Sequence, residues 1–268
     1  MADQTRAEGI AVITGAASGM GEASARLMGE TGWDLLLCDV NAERLASAAT
    51  AMGQANADQL AGDISAADFG ERLVAALKGR KIGALIHCAG LSPTMASAER
   101  IMEVNLAATM RLTATVLPHM SEGACAVLFA SSAAHQIGDR MDDTIGAVVT
   151  PEAVASLVPL CQDNSGTAYS IAKRGVYLWT RYIAHEFGAK GCRTASISPG
   201  IIATPMGLQE MEQQAVMKVL VEKSALPRPA KAEEVGAVAA FLCSPQASFI
   251  TGTDILVDGG SLARNPFA

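Results

Sequence analysis

Tyr169 and Lys173 stand four residues apart in SGTAYSIAKRGVYLWTRYIAHEFG, a stretch with helical spacing. That spacing sets both side chains on one face of a helix. A phenol near pKa 10 is a poor base at neutral pH. An ammonium beside it stabilises the phenolate and lowers that value. The phenol can then take a proton from an alcohol or give one to a ketone. In isolation the pair also fits an ordinary surface contact on an amphipathic helix, and a second motif is needed to choose.

TGAASGMG (14–21) supplies it, between an apolar strand-length run and a helical pattern. Gly15 permits a tight turn. Gly19 and Gly21, with Ser18 and Met20 between and beside them, let backbone and helix N-terminus approach a pyrophosphate. Methyltransferases carry similar loops, but that reading explains neither the tyrosine nor the lysine. Asp39 ends the next apolar run, 18 residues beyond Gly21. A carboxylate there accepts hydrogen bonds from ribose hydroxyls and repels a 2′-phosphate, which favours NAD over NADP. Val40 and Asn41 follow rather than an arginine, and Arg44 is expected to be exposed. Asp39 has a plainer reading as a helix cap. Asp63-Ile64 is placed to flank the adenine.

These residues need a scaffold that brings strand ends together. Apolar runs at 10–14, 35–39, 84–90, 126–132, 194–198 and 254–258 alternate with helical patterns at 20–31, 41–53, 66–79, 97–119 and 232–243. The runs are continuous, as in parallel strands covered on both faces. The expected fold is α/β, a Rossmann-type doubly wound parallel sheet in one domain spanning 1–268 with a small helical insertion. The insertion is 133–168, where Thr150-Pro151-Glu152 reads as the start of a short helix over 151–161. A second excursion, 204–226, reads as a substrate lid. Both are expected above the C-terminal edge of the sheet.

Composition excludes other classes. Of 268 residues, half are hydrophobic and 18% charged, enough apolar material for a large core. Aromatics at 4% and a net charge of −7 argue against nucleic acid as a partner. No run reaches the roughly 18 apolar residues of a membrane span. The polar start MADQTRAEGI reads as neither a signal nor a transit peptide. Six scattered cysteines without a C-x-x-C pair read as reduced thiols near the core, with no metal site, which suits a cytoplasmic protein.

TGAASGMG, Asp39, Asp63-Ile64, CAG (88–90), Asn105 in VNLAAT, Ser132 in ASSAA, YSIAK (169–173), SPGIIATPM (198–206) and VDGG (257–260) follow the order of motifs in the short-chain dehydrogenase/reductase family. The chain resembles that family from about residue 10 to 260. The resemblance implies seven parallel strands and hydride transfer between a nicotinamide and a carbinol carbon. It makes Tyr169 the acid/base and Lys173 a ligand of the nicotinamide ribose. Ser132 rather than Ser131 would bond the substrate oxygen. Asn105 would hold a water that relays the proton, or else merely tie two strands. Cys88, Ala89 and Gly90 would flank the cofactor, and Ile202 and Thr204 would contact its carboxamide.

Two features depart from the family pattern: Cys88 stands where asparagine is usual, and 36 residues separate Ser132 from Tyr169. The long insertion and CAG resemble the bacterial 3α-hydroxysteroid dehydrogenase/carbonyl reductases, with which the NPF near the end is compatible. There the insertion alters subunit packing, which implies a homo-oligomer, a dimer rather than a tetramer. Leu91, Ile137, Ile201, Met206, Leu208 and Met211, with Val148 and Leu157, are expected to line an apolar mouth. A neutral cyclic or steroid-like alcohol or ketone suits it better than a carboxylate. His135 reads as a solvated loop residue. The alternative function is a nucleotide-sensing binding module on the same fold.

Overall fold

The computed structural model describes residues 6–213 and 215–263; the NPF near the end lies outside them. Seven strands form one parallel sheet: β1 Ile10–Thr14, β2 Leu35–Asp39, β3 Asp58–Ala61, β4 Ile82–His87, β5 Met120–Phe129, β6 Arg193–Pro199 and β7 Thr253–Val257. Their order is β3-β2-β1-β4-β5-β6-β7. The order reverses between β1 and β4, so a crevice opens beyond their carboxyl ends. Thr14 and His87, the last residues of these strands, are register partners there.

Among the described residues twelve α-helices surround the sheet: α1 Gly19–Glu30, α2 Ala42–Ala51, α3 Phe69–Ala76, α4 Ala98–Met102, α5 Ala108–Val116, α6 Ser132–Gln136, α7 Asp142–Gly146, α8 Ser165–Tyr182, α9 Ala184–Ala189, α10 Pro205–Gln213, α11 Ala215–Glu222 and α12 Ala232–Leu242. Successive strand residues point to opposite faces. Along β1, Ala11 and Ile13 therefore join one core with Met28 and Val235, while Ile10 and Val12 join another with Phe69 and Leu112. Helix layers on both faces explain why the strand runs are continuous in the sequence.

The structure moves several expected boundaries. β3 carries Asp58 and Gln59, so it is not an apolar run, and it pairs only with β2 at the sheet edge. β4 stops at His87, which leaves Cys88-Ala89-Gly90 in the loop, and β5 stops at Phe129, before both serines. The pattern 97–119 is broken: α4 passes into a π-turn over Glu103–Ala107 before α5 resumes. Such turns recur at functional sites because they re-aim one residue, here Asn105.

The insertion is α6, a 3₁₀ turn at Asp139–Met141, α7 and a 3₁₀ segment Glu152–Cys161. Its 3₁₀ segment Glu152–Cys161 packs against α4 and α8, while α6 lies between α8 and β6. Ile145, Val154, Leu157 and Cys161 are buried there with Ile101, Leu106 and Val176. Arg174 on α8 is buried too, and its guanidinium donates to Asp139 (2.8 Å) and Asp142 (2.7 and 2.6 Å). Leu157 and half-buried Val148 thus serve this core and are not part of the mouth.

Candidate active site

The glycine loop joins β1 to α1. Gly15 has φ +69°, a left-handed conformation that favours glycine. A Cβ on Gly21 would fall 2.1 Å from the Gly15 carbonyl oxygen, and one on Gly19 would fall 3.0 Å from the Thr204 side chain. Glycine is therefore required for the loop to fold back on itself and to meet Thr204. Ser18, the N-cap of α1, makes no side-chain capping bond, and Met20 packs against the core. The exposed amides of a helix start with a close-packed glycine cradle fit a dinucleotide pyrophosphate.

Asp39 lies beside this loop. One carboxylate oxygen accepts from Ala17 N (3.1 Å) and the other from Asn41 N (3.1 Å). The helix-cap role falls to Asn41, which accepts from Arg44 N at 2.9 Å, while the Arg44 side chain is exposed. Asp63 is already engaged: it accepts from Ser65 N and Oγ (2.9 and 2.7 Å) and pairs with Arg100. Burial opposes its charge, but the Ser65 and Arg100 bonds outweigh that and hold its carboxyl below the usual range. Ile64 packs beside the second core.

Tyr169 and Lys173 share one face of α8. Lys173 is 6% exposed, its Nζ donates to the Phe129 carbonyl at 2.7 Å, and it stands 5.7 Å from the Tyr169 ring centre. Burial lowers the lysine to about 8, partly offset by Cys88. Tyr169 is pushed up to about 12, chiefly by burial; a bond from Ser131 lowers it and the Glu210 carboxylate raises it. The expected lowering of the phenol by its lysine is therefore not what this protein does alone. Desolvation dominates, and the ammonium donates to the Phe129 carbonyl.

The two serines divide the work. Ser131 caps α6, accepts from Ala133 N at 3.2 Å, and is the serine whose hydroxyl lowers the Tyr169 phenol. Ser132 opens α6, half-buried, and its hydroxyl has no partner among the described residues. Asn105 ties the β4–α4 loop in place: Oδ1 accepts from Leu91 N (2.7 Å) and Nδ2 donates to Leu91 O (2.9 Å). One lone pair of Oδ1 and one Nδ2 proton are engaged in this tie, and the amide keeps one acceptor and one donor site. Gly90 lies between Asn105 and Lys173; a Cβ on it would be 3.1 Å from Asn105 Oδ1 and 3.5 Å from Lys173 Nζ.

His87 was not anticipated, although it is a polar residue within the apolar run ALIHCAG. It is buried between Thr14 Oγ1 (2.7 Å to Nδ1) and Thr109 Oγ1 (2.9 Å to Nε2). The Thr109 hydroxyl spends its proton on the Asn105 carbonyl at 2.8 Å, so it must accept from His87. This assigns the proton to Nε2, leaving Nδ1 to accept from Thr14, which itself accepts from Ala89 N (3.2 Å). Burial, with Lys173 nearby, lowers this histidine to about 3. Neutral His87 thus joins the loop after β4 to the π-turn of Asn105.

Cys88 packs against the core beside Ser24, and burial pushes its thiol up, which excludes a thiolate nucleophile. Thr204 Oγ1 accepts from Gly207 N (3.1 Å) at the start of α10, and Ile202 bridges to Ala230. Leu91 and Ile137 lie at the edge of the α4/α8 core. Met206 and Leu208 point outward, 41% and 47% exposed, while Met211 is half-buried. Ile201 lines a cavity of about 100 Å³ with Val221, Leu226 and Val257, and Tyr169 is not part of its lining. His135 is not a free loop residue: Nε2 lies 2.9 Å from buried Asp254, an orienting partner 119 positions away that spacing does not reveal.

A family model described as enoyl-(acyl carrier protein) reductase matches residues 15–148 and 137–261. The short-chain dehydrogenase/reductase bsc3 of Alternaria brassicicola is 34% identical over 265 residues, covering 94% of this chain and 95% of its own. The 7α-hydroxysteroid dehydrogenase of Bacteroides fragilis is 30% identical, covering 96% and 95%. Among solved structures, the 3α-hydroxysteroid dehydrogenase of Pseudomonas sp. B-0831 complexed with NADH superposes with a TM-score of 0.79 at 26% identity, over 97% of this chain and all of that one.

Proposed function

This chain belongs to the short-chain dehydrogenase/reductase family, and on that premise we propose that it transfers a hydride between NAD(H) and a neutral, hydrophobic secondary alcohol or its ketone. The observation that carries the reading is the convergence of Tyr169, Lys173 and the two serines beyond the end of β5. When bound, the nicotinamide supplies the two-electron acceptor or donor and, oxidised, a positive charge. Gly15, Ser18, Gly19, Met20 and Gly21 hold the pyrophosphate. Asp39 takes the ribose hydroxyls. Asp63 and Ile64 border the adenine, and Cys88, Ala89, Gly90, Ile202 and Thr204 line the remaining length.

Tyr169 exchanges the proton with the carbinol oxygen. Ser131 steadies the phenol, and Ser132, whose hydroxyl is uncommitted, donates to the substrate oxygen. Lys173 is free to leave the Phe129 carbonyl for the nicotinamide ribose, because a single hydrogen bond to a backbone oxygen is readily exchanged. NAD is favoured because Asp39 has no arginine beside it to receive a 2′-phosphate. The NADH-bound 3α-hydroxysteroid dehydrogenase and the 7α-hydroxysteroid dehydrogenase support the cofactor and a bulky cyclic substrate.

The stretch 204–226 acts as the substrate lid. The insertion 133–168 packs against α4 and α8, which would obstruct a subunit contact built on the Asn105 and Tyr169 helices and favours a dimer over a tetramer. Light scattering on the eluted protein checks this. Among the described residues no helix is long and apolar enough to cross a membrane, and the scattered thiols suit the cytoplasm.

The decisive experiment screens cyclic and steroid alcohols with NAD and with NADP, following reduced-nicotinamide absorbance. NADH binding without turnover across the panel would favour the nucleotide-sensing module instead.

A further inference from the structure

Helix α6 carries Ser131 as its N-cap and Ser132 as its first residue, and it ends at Gln136. Five residues are far below the roughly 12–15 that hold a helix by itself in water, so its placement depends on what it is fastened to. Ser132 and His135 stand three positions apart and share one side of it. His135 is the fastening. Its Nε2 lies 2.9 Å from Asp254 Oδ2 on β7. A carboxylate only accepts, so the ring donates.

The anchor itself is held from both sides. The Asp254 side chain is 4% exposed. Its Oδ1 accepts from Ser196 Oγ (2.5 Å) and Ser198 Oγ (3.0 Å), two buried serines of β6. Ser196 is the register partner of Asp254, and Ser198 points to the same face two residues on. Ala195 and Ile197 point to the opposite face, into an apolar core. A carboxylate this far from water needs every bond it makes. Among the described residues His135 is the side-chain partner of its second oxygen. The His135 ring also meets Tyr177 of α8 edge-on, 5.5 Å between centres. The Arg174 guanidinium stands 4.4 Å from the Tyr177 ring centre and holds Asp139 and Asp142 of the insertion.

We propose that His135 is a positioning residue for hydride transfer: its bond to Asp254 sets the placement of α6 and thereby points the Ser132 hydroxyl at the substrate oxygen. The inference rests on the hydride-transfer reading, in which Ser132 donates to that oxygen, and adds a residue that touches neither substrate nor coenzyme. Serine and histidine lie on one short helix, so a loosened His135 displaces the donor with it. A displacement of about 1 Å lowers the rate by up to roughly 10²-fold. The glycine loop and Asp39 belong to other elements, so coenzyme binding is untouched.

The test compares the intact enzyme with His135→Gln and His135→Asn, using NAD and the neutral cyclic alcohol that the wild type oxidises fastest. The glutamine amide nitrogen falls where Nε2 stands and reaches Asp254; the asparagine amide matches Nδ1 and stops short. His135→Gln is expected to keep most of the wild-type kcat. His135→Asn should lower kcat about 10- to 100-fold and leave NADH affinity, by fluorescence titration, unchanged. On a Ser132→Ala background His135→Asn should add little further loss, since the hydroxyl it positions is already gone; a merely structural defect would multiply the two losses. His185→Ala, on the exposed side of α9, leaves kcat unchanged. His135→Ala substitutes if the asparagine variant does not fold. Equal kcat in the two amide variants, or the same factor lost with and without Ser132, overturns this inference alone. So does a fall in NADH affinity that matches the fall in rate. No wild-type turnover of any neutral alcohol overturns the hydride-transfer reading and this inference with it.

Discussion

The Lys173 ammonium donates a 2.7 Å hydrogen bond to the carbonyl of Phe129, the last residue of β5. The lysine is thereby held at the strand end where both serines begin, with its charge spent on a backbone oxygen rather than on the phenol. Burial has raised Tyr169 and lowered Lys173. The protein alone thus keeps both groups nearer neutrality than water would. Positive charge brought by an oxidised coenzyme is what this arrangement is poised to exploit.

Alcohol oxidation is expected to accelerate with rising pH through the alkaline range, since Tyr169 at about 12 is protonated at neutrality. Tyr169→Phe abolishes turnover and leaves NADH binding nearly intact by fluorescence titration. Ser132→Ala lowers kcat about 10²-fold or more, the usual effect of deleting one donor to a developing oxyanion. Ser131→Ala moves the acid limb to higher pH, because it removes the bond that lowers the phenol. Equal losses in both variants without a shift of the limb would refute this division of labour.

Lys173 contributes a stability term of definite sign. Its folded value of about 8 lies below the unfolded value of 10.5, so the unfolded chain binds more protons between the two. Stability from this group therefore rises with pH across that window, by about 3 kcal/mol in all. Other groups titrate there too, so the comparison is with Lys173→Met. The free-energy difference between the two proteins in urea melts should move in favour of the wild type by about that amount between pH 8 and 10.5.

His87 acts in the same direction at lower pH. Its folded value of about 3 lies below the ordinary value of 6.5, so its contribution is complete above pH 6.5 and is lost as pH falls toward 3. Up to roughly 5 kcal/mol is at stake for this one group. The wild type should lose urea resistance between pH 6.5 and 4 more steeply than His87→Asn. At pH 7 the variant should already be weaker by about 1–3 kcal/mol, because Thr14 and Thr109 lose their shared partner.

Asp39→Ala should relax discrimination against NADP, measured as the ratio of kcat/KM for the two coenzymes. It should also loosen the glycine loop, because the carboxylate accepts from Ala17 N. An unchanged coenzyme ratio would place the selectivity elsewhere.

The sequence by itself determined the fold class and named the residues of the candidate site. Continuous apolar runs require a sheet covered on both faces, and the spacing of Tyr169 and Lys173 requires a shared helix face. Glycine at 15, 19 and 21 is legible because no other residue tolerates those contacts. Edge strand β3 was not legible, because Asp58 and Gln59 at a sheet margin need no apolar pattern. Tertiary structure alone decided the partners. His87 met Thr109 and His135 met Asp254 only after distant segments were packed together. The two serines were assigned by which hydroxyl the folded backbone had already used. The same packing left Glu210 half-buried and Leu208 exposed on one helix, an order that a hydrophobic pattern does not foretell.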